Sequence, residues 1–133
     1  MAQTADVIPF KAEAYPIRVI RTRSFELNSL EIFTNEELSG LLSFVIAKPC
    51  FGTPIEGVRG LRVQAWKARS QGKSGMAQII YFFRDLNMPL LMIAAEANRR
   101  SIILESSEID KFNQIIDTII GRLANDVAYA KSA

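Results

Sequence analysis

Residues 77–83 read A-Q-I-I-Y-F-F, apolar almost throughout and rich in aromatic and branched side chains. A run this short and this apolar is expected to be a strand buried on both faces, central in its sheet. A partner stands just upstream. In residues 61–66, Leu61, Val63 and Ala65 alternate with Arg62, Gln64 and Trp66, the period-2 pattern of a half-buried strand. Between the two lies the polar turn Ser70-Gln71-Gly72-Lys73-Ser74-Gly75, whose two glycines are free to take positive φ. The expected unit is an antiparallel hairpin with Arg62, Trp66, Arg69 and Lys73 at one end.

The same hairpin concentrates charge. Residues 59–84 hold six cations (Arg59, Arg62, Lys67, Arg69, Lys73 and Arg84) and no acid. The whole chain has 16 basic and 14 acidic residues, so the remainder is acidic on balance, 10 against 14. A cationic patch on a mildly acidic body is the electrostatic footprint of a protein that meets a polyanion.

These residues also carry a family resemblance. Gly60-Leu61-Arg62, Trp66-Lys67-Ala68, Gly72-Lys73-Ser74-Gly75 and Ile79-Ile80-Tyr81-Phe82-Phe83, in that order, resemble the signature of RelE/HigB-type toxins. Those are the toxin halves of bacterial type II toxin–antitoxin pairs, and the likeness covers roughly residues 17–123. It implies an α/β (α+β) domain with a small antiparallel-rich sheet, flanked by two N-terminal helices and a C-terminal helix. It also implies metal-free cleavage of messenger RNA in the ribosomal A site. The partners implied are the ribosome, mRNA and a cognate helix-turn-helix antitoxin; the location implied is cytoplasmic. Two positions depart from the pattern. Similar toxins commonly carry Arg at the position of Gln78, and Lys at that of Ala97.

Composition narrows the chemistry. With 49% hydrophobic and 23% charged residues, the 133-residue chain reads as one folded domain, residues 16–133, behind a flexible leader at 1–15. No apolar run reaches the length of a membrane span, and no secretory signal opens the chain. There is no histidine, which excludes His-dependent triads and His-ligated zinc. The single cysteine, Cys50, excludes an internal disulfide and reads as a semi-buried filler. No metal and no other cofactor is expected.

Around the hairpin the pattern is ordinary. Residues 17–22 read as a short strand, and Phe25, Leu27, Leu30 and Phe33 suit a short amphipathic helix. Thr34 and Glu37 form a capping box for a second helix, with Leu38, Leu41, Leu42 and Val45 at helical spacing and an end before Pro49. The carboxylates Glu26, Glu31, Glu36 and Glu37 read as a solvated helix face rather than an acid–base pair. Residues 51–60 read as a connecting loop and residues 90–95 as another strand. A last helix starts near Ser107, with a stripe of Ile109, Phe112, Ile115, Ile116, Ile119, Ile120 and Leu123.

The Gly72-Lys73-Ser74 turn is not a nucleotide-triphosphate loop, because Lys67 stands where the first glycine would, and a strand follows rather than a helix. Clustered carboxylates for a hard metal are missing from the segment as well. Metal-free cleavage of RNA fits what is left: the ribose 2′-OH attacks the adjacent phosphorus, and fixed cations stabilise the charge that builds on the phosphate oxygens. Arg62 suits a two-pronged phosphate contact, and Lys73, crowded by cations, suits proton transfer. Lys67, Arg69 and Arg84 would hold the flanking backbone, while Trp66 or Tyr81 would stack a splayed base. Each has a plainer reading, Trp66 as core and Arg84 as the close of a turn. The first expectation is a ribosome-dependent mRNA endonuclease. The alternative is a non-catalytic protein of RelE/ParE fold that binds the ribosome, RNA or DNA gyrase.

Overall fold

The computed structural model describes residues 5–9, 18–69, 75–85, 87–97 and 103–132, with side chains described between 18 and 123. Among the described residues, β1 (Ala5–Pro9), β2 (Arg18–Thr22), β3 (Thr53–Pro54), β4 (Leu61–Lys67), β5 (Met76–Phe82) and β6 (Leu90–Glu96) form one sheet in the order β1-β2-β6-β5-β4-β3. Three helices accompany it: α1 (Arg23–Ile32), α2 (Asn35–Ala47) and α3 (Ser106–Ser132). Every neighbouring pair is antiparallel except β2 with β6. The fold is α+β with an antiparallel-rich sheet, as expected. No helix of the described residues is long and apolar enough to cross a membrane.

Strand alternation separates two cores. Ala77, Ile79 and Tyr81 of β5 pack with Phe25, Leu41, Val45 and Ile46 from α1 and α2. Ile80 and Phe82 face the other way, onto Phe112, Ile116 and Ile119 of α3. Residues 79–81 of β5 are each 0% exposed, so this strand is buried on both faces, as its unbroken apolar run implies. Each fully buried side chain of this size removes roughly 1.5–3 kcal/mol of apolar surface from water, which makes β5 the spine of the molecule.

Local chemistry sets the ends of the helices. Thr22 caps α1 by accepting from the Phe25 amide at 3.1 Å. Its hydroxyl also donates to the Ile93 carbonyl at 2.6 Å. Ile93 is the extra residue of a bulge, since Ile80 pairs with Ala94 while Tyr81 pairs with Met92. One threonine thus starts a helix and satisfies a bulge carbonyl that the ladder leaves over. The capping box of α2 forms as the sequence implies, with Thr34 and Glu37 exchanging hydrogen bonds at 2.9 and 3.1 Å.

Two expectations change. Within residues 1–15, expected as a flexible leader, the segment Ala5–Pro9 forms β1 and pairs with β2 along its whole length. That pairing is made by backbone groups and needs no side-chain alternation, and an edge strand tolerates a terminal proline. On α1, Leu27 and Leu30 are 50% and 77% exposed, and the buried positions are Phe25, Ser29 and Ile32. Ten residues give too few turns for spacing alone to choose the buried stripe.

Candidate functional site

The hairpin forms as expected, β4 paired with β5 from Leu61↔Phe82 to Lys67↔Met76. Its described cations do not gather at one end. Arg62 lies five residues before Lys67 on an extended strand, about 17 Å away at ~3.4 Å per residue. Arg59 and Arg84 flank the open end, where the Phe83 amide donates to the Gly60 carbonyl at 2.9 Å. Lys67 and Arg69 stand at the closed end. Lys73, with Gly72 and Ser74, lies outside the described residues, as do Arg99 and Arg100.

Alternation along β4 also divides the candidates between the faces. Arg62 pairs with Tyr81 and Trp66 with Ala77, on the α1–α2 face, whereas Lys67 pairs with Met76 on the α3 face. The two departures from the toxin pattern separate in the same way. Gln78 pairs with Ala65 on the α3 side, while Ala97 packs against the α1–α2 core.

Arg62 is not a free phosphate ligand. Its Nη1 donates to the Gly52 carbonyl at 2.7 Å and to the Cys50 carbonyl at 3.0 Å. Its Nε is enclosed without a hydrogen-bond partner among the described residues. Tyr81 is equally committed. The buried phenol donates to the Pro49 carbonyl at 2.9 Å and accepts from the Gly52 amide at 3.0 Å. Burial pushes its pKa above the ordinary 10.0, against the opposing pull of the Gly52 amide and Arg62. The side chain is 0% exposed, so the ring offers no open face to a base, and the hydroxyl has both partners filled. Arg62 and Tyr81 therefore hold residues 49–52, and a phosphate at Arg62 would compete with the carbonyls of Cys50 and Gly52.

Trp66 is likewise tied into the body. Its Nε1 donates to the Glu37 carbonyl at 2.9 Å, and its ring packs on Phe44 with centroids 5.5 Å apart. These contacts hold the half-buried Trp66 against α2.

Glu37, expected on a solvated face, is 9% exposed and is the joint between α2 and the hairpin. Besides the Thr34 amide, its carboxylate accepts from the Arg69 amide at 2.9 Å, and the Arg69 Nε lies 3.8 Å away. The amides of Thr34 and Arg69 and the Arg69 charge hold its pKa below the ordinary 4.5, outweighing burial. A depressed carboxylate stabilises the fold above the unfolded pKa, and that contribution is lost as pH falls through the folded pKa. Urea unfolding at pH 7 and pH 3 checks this. Glu37→Gln should lose less stability between the two than the parent does, and an equal loss would assign the acid sensitivity to other carboxylates.

The remaining described cations of the hairpin are open to solvent. The Arg69 side chain is 77% exposed, and Arg84 is 48% exposed with Asp85 at 3.5 Å. Among the described residues Arg59, Arg62 and Lys67 make no ion pair. A cleft of about 470 Å³ lies elsewhere, between the start of α1, β6 and α3, and no candidate cation lines it.

The chain matches no protein-family model and no curated protein.

One exposed aromatic escaped the reading of the sequence. Phe51, placed there in a connecting loop, is 64% exposed and sits edge-on against Phe44, with centroids 5.3 Å apart and planes at 87°. Cys50 beside it is exposed, not semi-buried. The signal was present in Pro49-Cys50-Phe51-Gly52, where an aromatic between a proline and a glycine lies outside any periodic stripe.

Proposed function

We propose that this chain acts on RNA as a RelE/HigB-like, ribosome-dependent mRNA endonuclease, cytoplasmic and held inactive by a cognate helix-turn-helix antitoxin. The supporting observation is the hairpin itself. It carries exposed cations at both ends, Arg59 and Arg84 at one and Lys67 and Arg69 at the other, on strands with no acidic residue. A stripe of that kind suits an extended phosphate backbone better than a compact anion.

In the proposed reaction the 2′-OH gives up its proton and attacks phosphorus, the 5′-oxygen leaves with a proton, and a cyclic phosphate remains. Lys67 and Arg69 are the described cations at the closed end of the hairpin that would meet the phosphate charge. Lys73, which the sequence sets among other cations, is kept for proton transfer. The ribosome supplies the alignment that so sparse a set of groups lacks. A second reading, binding without cleavage, is favoured by one observation: Arg62 Nη1 and the Tyr81 hydroxyl are engaged by the 49–52 backbone.

Binding to single-stranded RNA should fall steeply with salt. Replacing Lys67 and Arg69 together by glutamine should make the log–log salt slope shallower by about 1.4, at ~0.7 per contact. Mapping of transcript ends in a purified translation system separates the readings. Cleavage only on ribosomes supports the endonuclease, ribosome binding without new ends supports the second reading, and efficient cutting of naked RNA at physiological salt contradicts ribosome dependence.

A further inference from the structure

We infer that Phe51 is a presented stacking platform for an unpaired nucleobase, an inference that rests on the RNA reading above. A singly exposed apolar side chain is ordinary, and Leu30 on α1 is more exposed still at 77%. What distinguishes Phe51 is the construction beneath it.

Five hydrogen bonds hold residues 49–52. Phe51 donates its own amide to the Lys48 carbonyl at 3.1 Å. Tyr81 takes the Pro49 carbonyl and the Gly52 amide, and Arg62 takes the Cys50 and Gly52 carbonyls. Two paired polar side chains near the open end of the β4–β5 hairpin, Arg62 and the fully buried Tyr81, thus fix a four-residue surface loop. The approach is so close that a Cβ on Gly52 would lie 2.5 Å from the Tyr81 hydroxyl. Under the ring, Phe44 and then Trp66 continue an aromatic row into the body. The ring is set in place before anything binds, so little ordering entropy is lost on contact.

The surroundings select the ligand. The loop follows the C-terminus of α2 (Ala47), the partially negative end of that helix, which disfavours a phosphate placed directly there. A neutral π face suffers no such penalty. Exposed Lys48 lies three residues before the ring, and Arg62 reaches under the loop from the cationic strand. The occupant that fits is a splayed base that stacks on Phe51 while exposed Lys48 meets its phosphate.

The test uses the full chain, a labelled six-nucleotide oligoadenylate and an abasic strand of equal length, with binding read by fluorescence anisotropy. The parent should bind both, the adenylate more tightly. Phe51→Ala and Phe51→Leu should each weaken adenylate binding about tenfold, the size of a lost base–aromatic stack, and leave abasic binding unchanged. Phe51→Trp should restore it. Tyr81→Phe, which keeps the ring but frees the loop, should weaken adenylate alone, a selectivity that a purely structural role would not produce. Equal weakening on both strands, or none, overturns the inference while the RNA reading stands. A parent that binds neither strand at low salt overturns the RNA reading and this inference with it.

Discussion

Arg62→Ala should destabilise the protein by about 2–3 kcal/mol, the worth of hydrogen bonds from a charged donor. The variant strands two carbonyls, those of Cys50 and Gly52, and removes the tie between β4 and the 49–52 loop. Urea unfolding should show a lower midpoint with an unchanged slope. The thermal midpoint should fall by roughly 6–12 °C for a chain of this size. Any relief of growth arrest by this variant would then track stability rather than catalysis. An Arg62→Ala protein within about 0.5 kcal/mol of the parent would mean the guanidinium is free to serve a ligand after all.

Gly60→Ala should cost about 3 kcal/mol, by a different route. Gly60 has φ of +88°, a conformation that L side chains rarely adopt. A Cβ there would also stand 2.7 Å from Cε1 of the buried Phe82 ring. Backbone strain of roughly 1–2 kcal/mol therefore adds to an overpacking cost of similar size. The turn is where the chain enters β4, so the register of the cationic strand depends on it. Gly121 of α3 supplies the control. A Cβ there meets nothing within 4 Å, and alanine should stabilise the helix by about 1 kcal/mol. Equal midpoints for the two variants would show that neither strain nor the Phe82 contact limits the turn.

Much of the fold was legible because its signals are local. The unbroken apolar run of β5, the alternation of β4, the Thr34–Glu37 box and the stripe of α3 each lie within a few residues of sequence, where periodicity is a direct record of burial. The roles of Arg62 and Tyr81 were not legible, because what occupies them is backbone. The carbonyls of Pro49, Cys50 and Gly52 lie from 10 to 32 residues away, and a carbonyl looks the same at every position in a sequence. A count of cations cannot distinguish a guanidinium offered to solvent from one spent on the chain. Glu37 eluded the reading for a related reason: its capping role was visible locally, but the Arg69 amide it also binds is 32 residues on. Phe51 lay in plain view but outside every stripe, and the loop's rigidity is a property of its distant anchors.

The parallel pairing of β2 with β6 has a consequence for how the chain is made. Thr22 reaches the Ile93 carbonyl across 71 residues, and Val19 pairs with Leu90 only when β6 exists. Contacts of such long sequence separation form late, because loop closure must precede them. During synthesis the β4–β5 hairpin can form on its own, but β2 cannot join it in one sheet until β6 has emerged between them. A nascent chain lacking β6 would expose apolar faces of both β2 and β5. Assembly of the sheet is therefore close to all-or-none in chain length, and truncation before residue 96 should yield an aggregating fragment rather than a smaller working domain.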